Sequence, residues 1–166
     1  MKHDSITVRN ATVDDLPHLT RIQSACYPTE YLEATGTFER KLQLSPDSHW
    51  LIECDGVAMG YFLTHPWAGN APPALDHATL TLPEQADCHF LHDLALHPAA
   101  RGQGLAPRLI EAALQWGRAH GLPRTMLVAV QGSVPFWERW GFACIGNAAA
   151  YGDGAALMQR ADALSG

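Results

Sequence analysis

The sequence has 166 residues, a length that fits one domain with a substantial buried core. It has no run near the roughly 20 apolar residues of a membrane span and no apolar start typical of a signal peptide, so we expect a cytoplasmic protein without a membrane partner. The net charge of -6 combines -8 over residues 1–100 (13 acidic, 5 basic) with +2 over residues 101–166 (4 acidic, 6 basic), a balance that disfavours a nucleic-acid partner.

Patterns in the first half of the chain predict both strands and helices. In order, they are a strand over 6–9, a helix that starts at 12 and ends before 28, a helix over 38–44, and a hairpin of strands 50–53 and 57–63. A capping box at Thr12 and Asp15 marks the first helix, and Asp55-Gly56 is a strong turn pair for the hairpin. Residues 65–78 are rich in Pro and Gly, which predicts a loop that is long enough to form part of a substrate rim.

The second half of the chain predicts a strand and a helix joined by a glycine-rich turn. In order, its elements are a strand over 88–96, a helix over 105–120, a strand over 126–130, a short helix over 134–140, and strands over 142–145 and 156–159. An apolar stripe along the helix over 105–120 predicts that it packs on a sheet. A strand, a helix and a strand in this order imply a right-handed crossover between parallel strands.

The turn at Gly102 and Gly104 is a candidate phosphate site. The glycines remove side chains from a turn whose backbone N–H groups converge, and the helix that begins near Leu105 adds the positive end of its dipole. The turn lacks the Gly-Lys-Ser/Thr of a Walker loop and the Gly-x-Gly-x-x-Gly of a dinucleotide fingerprint. It indicates a diphosphate ligand, and an ordinary strand-turn-helix connection is the alternative.

Two spaced motifs resemble those of the Gcn5-related N-acetyltransferase (GNAT) superfamily. The turn Arg101-Gly102-Gln103-Gly104-Leu105-Ala106 resembles the family signature Arg/Gln-x-x-Gly-x-Gly/Ala, and the Val-Pro-Phe-Trp-Glu-Arg-Trp-Gly-Phe of residues 134–142 resembles its Phe-Tyr-x-x-x-Gly-Phe segment. The predicted order of elements is also that of the family, over nearly the whole chain. Within the superfamily, residues 134–142 and the His-Asp-Leu-Ala-Leu-His of residues 92–97 are most similar to the arylalkylamine (serotonin) N-acetyltransferases.

The resemblance implies an α/β (α+β) fold with a single N-acetyltransferase domain over residues 1–166. This domain has a central mixed, mostly antiparallel, twisted sheet with splayed parallel strands 4 and 5, and helices on both faces. The co-substrate implied is acetyl-CoA, with its diphosphate on the glycine turn and its pantetheine arm paired to the backbone of the fourth strand. The cofactor-binding residues implied are Leu94, Ala95, Leu96, Arg101, Gly102, Gln103, Gly104, Leu105, Ala106 and Trp137.

Neither the cysteines nor the histidines have the spacing of a metal site. The four cysteines occur singly, without a Cys-x-x-Cys pair, so we expect reduced, buried thiols. His89 and His92 are an odd number of residues apart on one strand and therefore face opposite sides. No metal is expected.

His92 is the candidate proton acceptor. Imidazole titrates near neutral pH, and the period of a strand places His92 on the face that carries Leu94 and Leu96, with Asp93 on the opposite face. The resemblance to the arylalkylamine enzymes implies a catalytic base at this position. A buried histidine that is hydrogen-bonded to the backbone is the alternative. For Asp93 we favour a buried carboxylate paired with a donor.

Trp137 departs from the family pattern. The resemblance places a tyrosine here, proposed to protonate the departing thiolate, and an indole N–H is not a usable acid near neutral pH. Trp137 remains a candidate wall for the pantetheine arm. The thiolate then leaves without a dedicated acid, or another acid or a water serves.

The acceptor is predicted to be a small-molecule primary amine, with arylalkylamines and polyamines as the leading classes. The acidic first part of the chain would attract a cation, although the charge split also fits plain solubility. The aromatic residues Tyr27, Tyr31, Phe38 and Trp67 are candidates to cover the acceptor or to form ordinary core. Glu30 and Glu33 are candidates to pair with an ammonium, but we favour solvated surface positions for both. A protein or peptide amine, a non-catalytic acyl-CoA-binding module and a homodimer stay open.

Overall fold

The computed structural model describes residues 5–74, 76, 80–130 and 132–161. Its strands are β1 (Ile6–Asn10), β2 (His49–Cys54), β3 (Val57–Trp67), β4 (Cys88–Leu96), β5 (Arg124–Ala129), β6 (Ala143–Asn147) and β7 (Ala156–Ala161). Its helices are α1 (Leu16–Cys26), α2 (Thr35–Leu44), α3 (Leu105–Ala119) and α4 (Val134–Glu138). The predicted elements are all present, with bounds that differ by a few residues.

The strands form one mixed sheet of seven strands in the order β1-β2-β3-β4-β5-β7-β6. The pairing of β4 with β5 is parallel, and every other pairing in the sheet is antiparallel. Because β4 and β5 are joined through α3, the predicted parallel pairing of a strand, a helix and a strand is confirmed. The mixed, mostly antiparallel α/β fold with helices on both sides is confirmed as well.

Strands β4 and β5 separate after a short paired stretch. They pair over His89–Leu91 and Thr125–Leu127, and the remaining residues of β4 have no partner in β5. The other edge of β4 stays paired with β3 as far as Leu96. The splayed strands of the prediction are therefore present, and they leave a gap in the middle of the sheet.

Two apolar layers cover the two faces of the sheet. On one face, α3 buries Leu105, Leu109 and Ile110 against β2, β4 and β5. On the other face, α1 and α2 bury Leu19 and Phe38 against β2 and β3. Each fully buried side chain of this size contributes about 1.5–3 kcal/mol, so these layers fix the positions of the elements around the gap. Among the described residues, no helix is long and apolar enough to span a membrane.

Two predictions of local structure need correction. Strand β3 continues to Trp67, because His65, Pro66 and Trp67 pair with the first residues of β4, so the predicted loop over 65–78 starts later. Leu75, His77 and Ala78 of that loop lie outside the described part of the chain. The four cysteines are free, but only Cys54 and Cys88 are buried, since Cys26 is partly exposed and Cys144 is exposed on the edge strand β6.

Candidate functional site

The gap between β4 and β5 opens into a cavity of about 420 Å³. Its walls come from the end of β4, the glycine turn, the first turn of α3, the end of β5 and helix α4. Most of the predicted site residues line it, namely His92, Leu94, Ala95, Leu96, Arg101, Gly102, Ala106 and Trp137. The predicted residues Gln103, Gly104 and Leu105 do not line it.

The glycine turn has the geometry of an anion cradle. Gly102 and Gly104 have φ of 78° and 73°, in the left-handed region that other residues rarely adopt. Gly104 is the N-cap of α3, so the first backbone N–H groups of this helix have no partner within it. Leu105 anchors the turn because its side chain is buried in the core. The turn therefore presents free N–H groups at one end of the cavity.

The backbone of β4 also presents polar groups to the gap. The His97 N–H donates to the Met59 carbonyl of β3 at 2.8 Å, and the direction of backbone groups alternates along a strand. Leu94 and Leu96 therefore direct their N–H and C=O groups away from β3. The Leu96 carbonyl accepts a hydrogen bond from Cys26 Sγ at 3.0 Å, and the Leu94 carbonyl lies 2.9 Å from Tyr27 Oη, whose single hydrogen it shares with Asp93 Oδ1.

His92 and Asp93 lie on the same face of the sheet, which corrects the prediction. In the pairing of β3 with β4, Leu63 faces Asp93 and Thr64 faces Leu91, so His92 is the extra residue of a β-bulge. The bulge shifts the alternation by one residue. His92 therefore points to the α1 and α2 side, whereas Leu94 and Leu96 pack on the opposite side, against the α3 layer.

The imidazole of His92 is held by a buried carboxylate. Glu33, in the segment between α1 and α2, has Oε1 2.7 Å from His92 Nε2 and Oε2 2.9 Å from Lys41 Nζ. Burial raises the pKa of Glu33, but the charges and hydrogen bonds of His92 and Lys41 outweigh it, so the net pKa lies well below its usual range. Glu33 is 4% exposed, so its predicted solvated position is wrong. The sequence carries no signal for this, because the contact joins distant segments.

Asp93 is a buried carboxylate with two donors, as predicted. Tyr27 Oη donates to Oδ1 at 2.8 Å and Tyr61 Oη donates to Oδ2 at 2.7 Å. Burial raises the pKa of Asp93. The same surroundings, burial first and the Asp93 charge second, raise the pKa of both tyrosines well above the usual value, so neither hydroxyl is an effective acid near neutral pH.

A smaller cavity of about 50 Å³ adjoins His92 on the side away from the glycine turn. It is lined by Tyr27, Tyr31, Glu33, His92, Asp93, Val128, Val130 and Tyr151. Two contacts hold side chains of its wall, since Gly152 lies so close to Tyr31 that an added Cβ would be 2.5 Å from Tyr31 Oη, and Tyr151 Oη donates a short hydrogen bond to the Pro73 carbonyl. We call Tyr31, Tyr151 and Gly152 the roof of this chamber.

The aromatic candidates divide between this chamber and the core. Tyr27 and Tyr31 line the chamber, whereas Phe38 is fully buried beside α1. Trp67 lies at the end of β3, where its ring packs against His65 and its Nε1 donates to the Ala71 carbonyl at 2.8 Å. Tyr151, which the sequence analysis missed, sits in a short turn before β7 without any motif.

Trp137 forms part of the wall of the larger cavity. Its indole is 7% exposed and packs against Phe62, Phe136 and Phe142, with ring centroids 6.4, 5.0 and 5.6 Å away. The residues described in the structure contain no cluster of three or more His, Cys, Asp or Glu side chains that would hold a metal ion.

Comparisons with known proteins agree with this architecture. A model described as the acetyltransferase (GNAT) family matches residues 16–142. The loading GNATL domain of CurA from Lyngbya majuscula superposes with a TM-score of 0.81 at 15% identity, over 95% of this chain and 98% of that one. No curated protein matches the chain significantly.

Two further solved structures have the same fold. The GphF GNAT-like decarboxylase, in complex with isobutyryl-CoA, has a TM-score of 0.78 at 18% identity, over 93% of this chain and 98% of that one. The ribosomal-protein-S18-alanine N-acetyltransferase from Escherichia coli has a TM-score of 0.71 at 15% identity, over 98% and 97%. At these identities the likeness shows a shared fold.

Proposed function

The chain belongs to the GNAT acetyltransferase family, and from that premise we propose that it transfers an acetyl group from acetyl-CoA to the primary amine of a small molecule. The whole chain, 1–166, acts as one N-acetyltransferase domain. The single observation that carries this function is the continuous path from the glycine turn, along the free edge of β4, to the buried imidazole of His92. Arylalkylamines and polyamines are the leading acceptor classes, the former because of the similarity of residues 92–97 and 134–142.

The turn and the first residues of α3 would hold the diphosphate of acetyl-CoA. In this assignment the backbone of Gly102, Gln103, Gly104, Leu105 and Ala106 donates N–H groups, and the positive end of the α3 dipole adds to the attraction. Arg101 adds a positive charge at the rim of the cavity. A related fold that holds isobutyryl-CoA supports a coenzyme A ligand.

The edge of β4 would hold the pantetheine arm as an added strand. Leu94 and Leu96 supply backbone groups toward the gap, Ala95 lines the cavity beside them, and Trp137 packs on the arm from the opposite wall. Positioning of this kind supplies much of the rate in a direct transfer, because the amine and the thioester meet in one complex without a covalent enzyme intermediate.

In the chemical step, His92 accepts a proton from the attacking amine, directly or through one water. A new C–N bond forms at the thioester carbonyl, the C–S bond breaks, and the electron pair leaves on sulfur. A thiol with a pKa of ~8.5 is a tolerable leaving group, which fits the absence of a tyrosine at position 137. Water or the proton held by His92 then neutralises the thiolate.

The test is thiol release from acetyl-CoA with a panel of amines. Since general base catalysis contributes about 10²–10⁴-fold, His92→Ala should lower kcat by that order while acetyl-CoA binding, measured by calorimetry, stays within a few-fold. His18→Ala, on the exposed face of α1, is the control. Unchanged turnover in the His92 variant would remove this residue from the mechanism.

Two other functions remain on the same fold. A protein or peptide amine is the acceptor of the Escherichia coli neighbour, but the roof over the chamber favours a small molecule here. A non-catalytic acyl-CoA-binding module is the second, favoured by Trp137 and opposed by His92 with its carboxylate partner. Mass spectrometry of the acetylated products identifies the first, and saturable binding without thiol release identifies the second.

A further inference from the structure

Glu33, His92 and Lys41 form a buried chain of three titratable groups. Glu33 Oε1 is 2.7 Å from His92 Nε2, Glu33 Oε2 is 2.9 Å from Lys41 Nζ, and each of the three side chains is 1% exposed. The three residues come from different elements, namely the α1–α2 connection, the bulge of β4 and helix α2. Buried charges are costly unless they are paired and hydrogen-bonded. The burial of these three linked side chains therefore calls for an explanation.

The carboxylate of Glu33 is fixed on every side. Besides Lys41 and His92, the Asp76 N–H donates to Oε2 at 2.9 Å. The backbone of Glu33 is held in turn by the Gln23 amide, which accepts from its N–H at 2.7 Å and donates to its carbonyl at 2.9 Å. A carboxylate held in this way has one orientation, and so has the imidazole bonded to it.

The protonation of His92 follows from the state of its partner. The Lys41 ammonium keeps Glu33 ionised, and an ionised carboxylate only accepts hydrogen bonds. The hydrogen between the two groups therefore belongs to His92 Nε2. In the neutral ring Nδ1 then carries the lone pair, and Nδ1 is buried without a hydrogen-bond partner among the described residues.

We infer that Glu33, with Lys41 as its counterion, is a positioning residue that fixes His92 as the Nε2–H tautomer and so makes Nδ1 the proton acceptor. The catalytic consequence of this inference rests on the proposed function. The tautomer of His92 does not depend on that function. In the step, the amine proton moves to Nδ1, and the resulting imidazolium is stabilised by the adjacent carboxylate. The protonated ring then returns its proton to the thiolate or to water.

A purely structural role is the competing explanation. The Glu33–Lys41 pair also fastens the connection between α1 and α2 onto α2, and such pairs are often structural. Removing Glu33 alone leaves Lys41 buried without a partner, so Glu33→Gln would be destabilised under either explanation. The double variant Glu33→Gln/Lys41→Met removes both charges. It therefore leaves no unpaired charge at these two positions, and His92 no longer has an ionised partner.

The test combines kinetics with nitrogen NMR of histidine-labelled protein. In the wild type, His92 should carry its proton on Nε2 at pH 8. In the double variant we expect a folded protein, a His92 signal shifted toward the other tautomer, and a kcat at least about tenfold lower, since a wrong tautomer is costly in general base catalysis. The KM for acetyl-CoA should change less than twofold, and the control Glu30→Gln should behave as the wild type.

Two results would overturn the inference. One is an Nδ1–H tautomer for His92 in the wild type, and the other is a double variant with wild-type kcat and an unchanged histidine signal. If the double variant does not fold, two other measurements still test the inference. One is the histidine spectrum of the wild type. The other is the conservative Lys41→Arg variant, which keeps Glu33 ionised and should keep both the His92 tautomer and kcat. Failure of the proposed function is distinguishable, because it removes thiol release in the wild type and leaves the tautomer measurement unaffected.

Discussion

Trp137 replaces the residue that carries a proton in the family pattern, and its surroundings explain how it fits. The indole fills space between Phe62, Phe136 and Phe142 and forms part of the cavity wall. Its N–H is not an acid near neutral pH. In the proposed site the residue therefore contributes shape, and a proton for the thiolate would come from elsewhere.

Replacing Trp137 with tyrosine tests this assignment. We expect Trp137→Tyr to bind acetyl-CoA within about threefold of the wild type and to keep or raise kcat, because the phenol retains most of the ring contact and adds an acid. Calorimetry and thiol release measure the two quantities. Phe136→Tyr, on the neighbouring ring, is the control. A collapse of acetyl-CoA affinity would instead make the indole an essential packing element.

At the level of single residues, the sequence indicates which side chains could take part in chemistry, but it does not indicate which residues they contact. The type and position of His92 and of the glycines at 102 and 104 could be read from motifs. The face of His92 could not, because one inserted residue in the pairing of β3 with β4 reverses the alternation. Glu33 was equally hidden, since its partners lie 8 and 59 residues away in the chain.

Among the elements, the turn into α3 is the one that the proposed acetyl-CoA binding depends on most. Gly104 has φ of 73° at the N-cap, and a Cβ there would meet nothing within 4 Å, so conformation and not space requires glycine. Gly121 has φ of 70° just after the other end of α3, also with open space. Both glycines have the same left-handed backbone conformation. Gly104 lies at the end of α3 that is next to the cavity and Gly121 lies just beyond the far end, so the two positions form a matched pair.

We therefore expect Gly104→Ala and Gly121→Ala to lose similar stability, about 1–2 kcal/mol, with different effects on the ligand. The first variant should bind acetyl-CoA at least about tenfold more weakly, because the strained turn redirects its N–H groups. The second should bind as the wild type does. Denaturant unfolding and calorimetry provide the measurements, and equal affinities in both variants would contradict a role for the turn.

The roof over the smaller chamber comes from two connections, where Tyr31 and Tyr151 each end a short 3-10 turn, rather than from the α-helices or strands. Gly152 lies against Tyr31, and a Cβ there would approach the hydroxyl to 2.5 Å. Gly154, two residues on, has φ of 77° and open space around a Cβ. Contacts between connections have no period in the sequence, so the roof was beyond prediction, unlike the helices and strands with their clear apolar patterns.

Substitution at Gly152 should affect the acceptor and spare the cofactor. In Gly152→Ala the added methyl displaces Tyr31, so we expect the KM of the amine to change at least about fivefold, a shift of about 1 kcal/mol, while the affinity for acetyl-CoA stays within twofold. Gly154→Ala is the control and should change neither. Steady-state kinetics with the best amine of the panel decides, and an unchanged amine KM would separate the roof from the acceptor site.

For the molecule as a whole, three buried histidines with lowered pKa values predict a strong dependence of stability on pH. Burial lowers the pKa of His49 to about 4 and the pKa values of His65 and His89 to about 3. In the unfolded chain these groups titrate near 6.5. The unfolded state therefore binds more protons below that pH, and the folded state is favoured above it.

The contribution of these three histidines to the free energy of unfolding should accordingly be constant above about pH 7. It should fall as the pH drops from 6.5 toward 4. Each neutral histidine contributes a slope of about 1.4 kcal/mol per pH unit in that range. His89→Gln, which keeps a hydrogen-bonding side chain beside Thr64, should reduce the slope by about one third. Urea unfolding between pH 4 and pH 8 measures it, and parallel pH curves for the variant and the wild type would contradict the assignment.

Calorimetric titration with acetyl-CoA tests most directly whether the opening between β4 and β5 binds acyl-CoA. It is carried out on the purified wild-type protein and on the Gly104→Ala and Gly121→Ala variants. We predict saturable binding of one acetyl-CoA per chain, weakened in the first variant and retained in the second. The absence of any heat of binding to the wild-type protein would contradict the central claim that the opening between β4 and β5 is an acyl-CoA site.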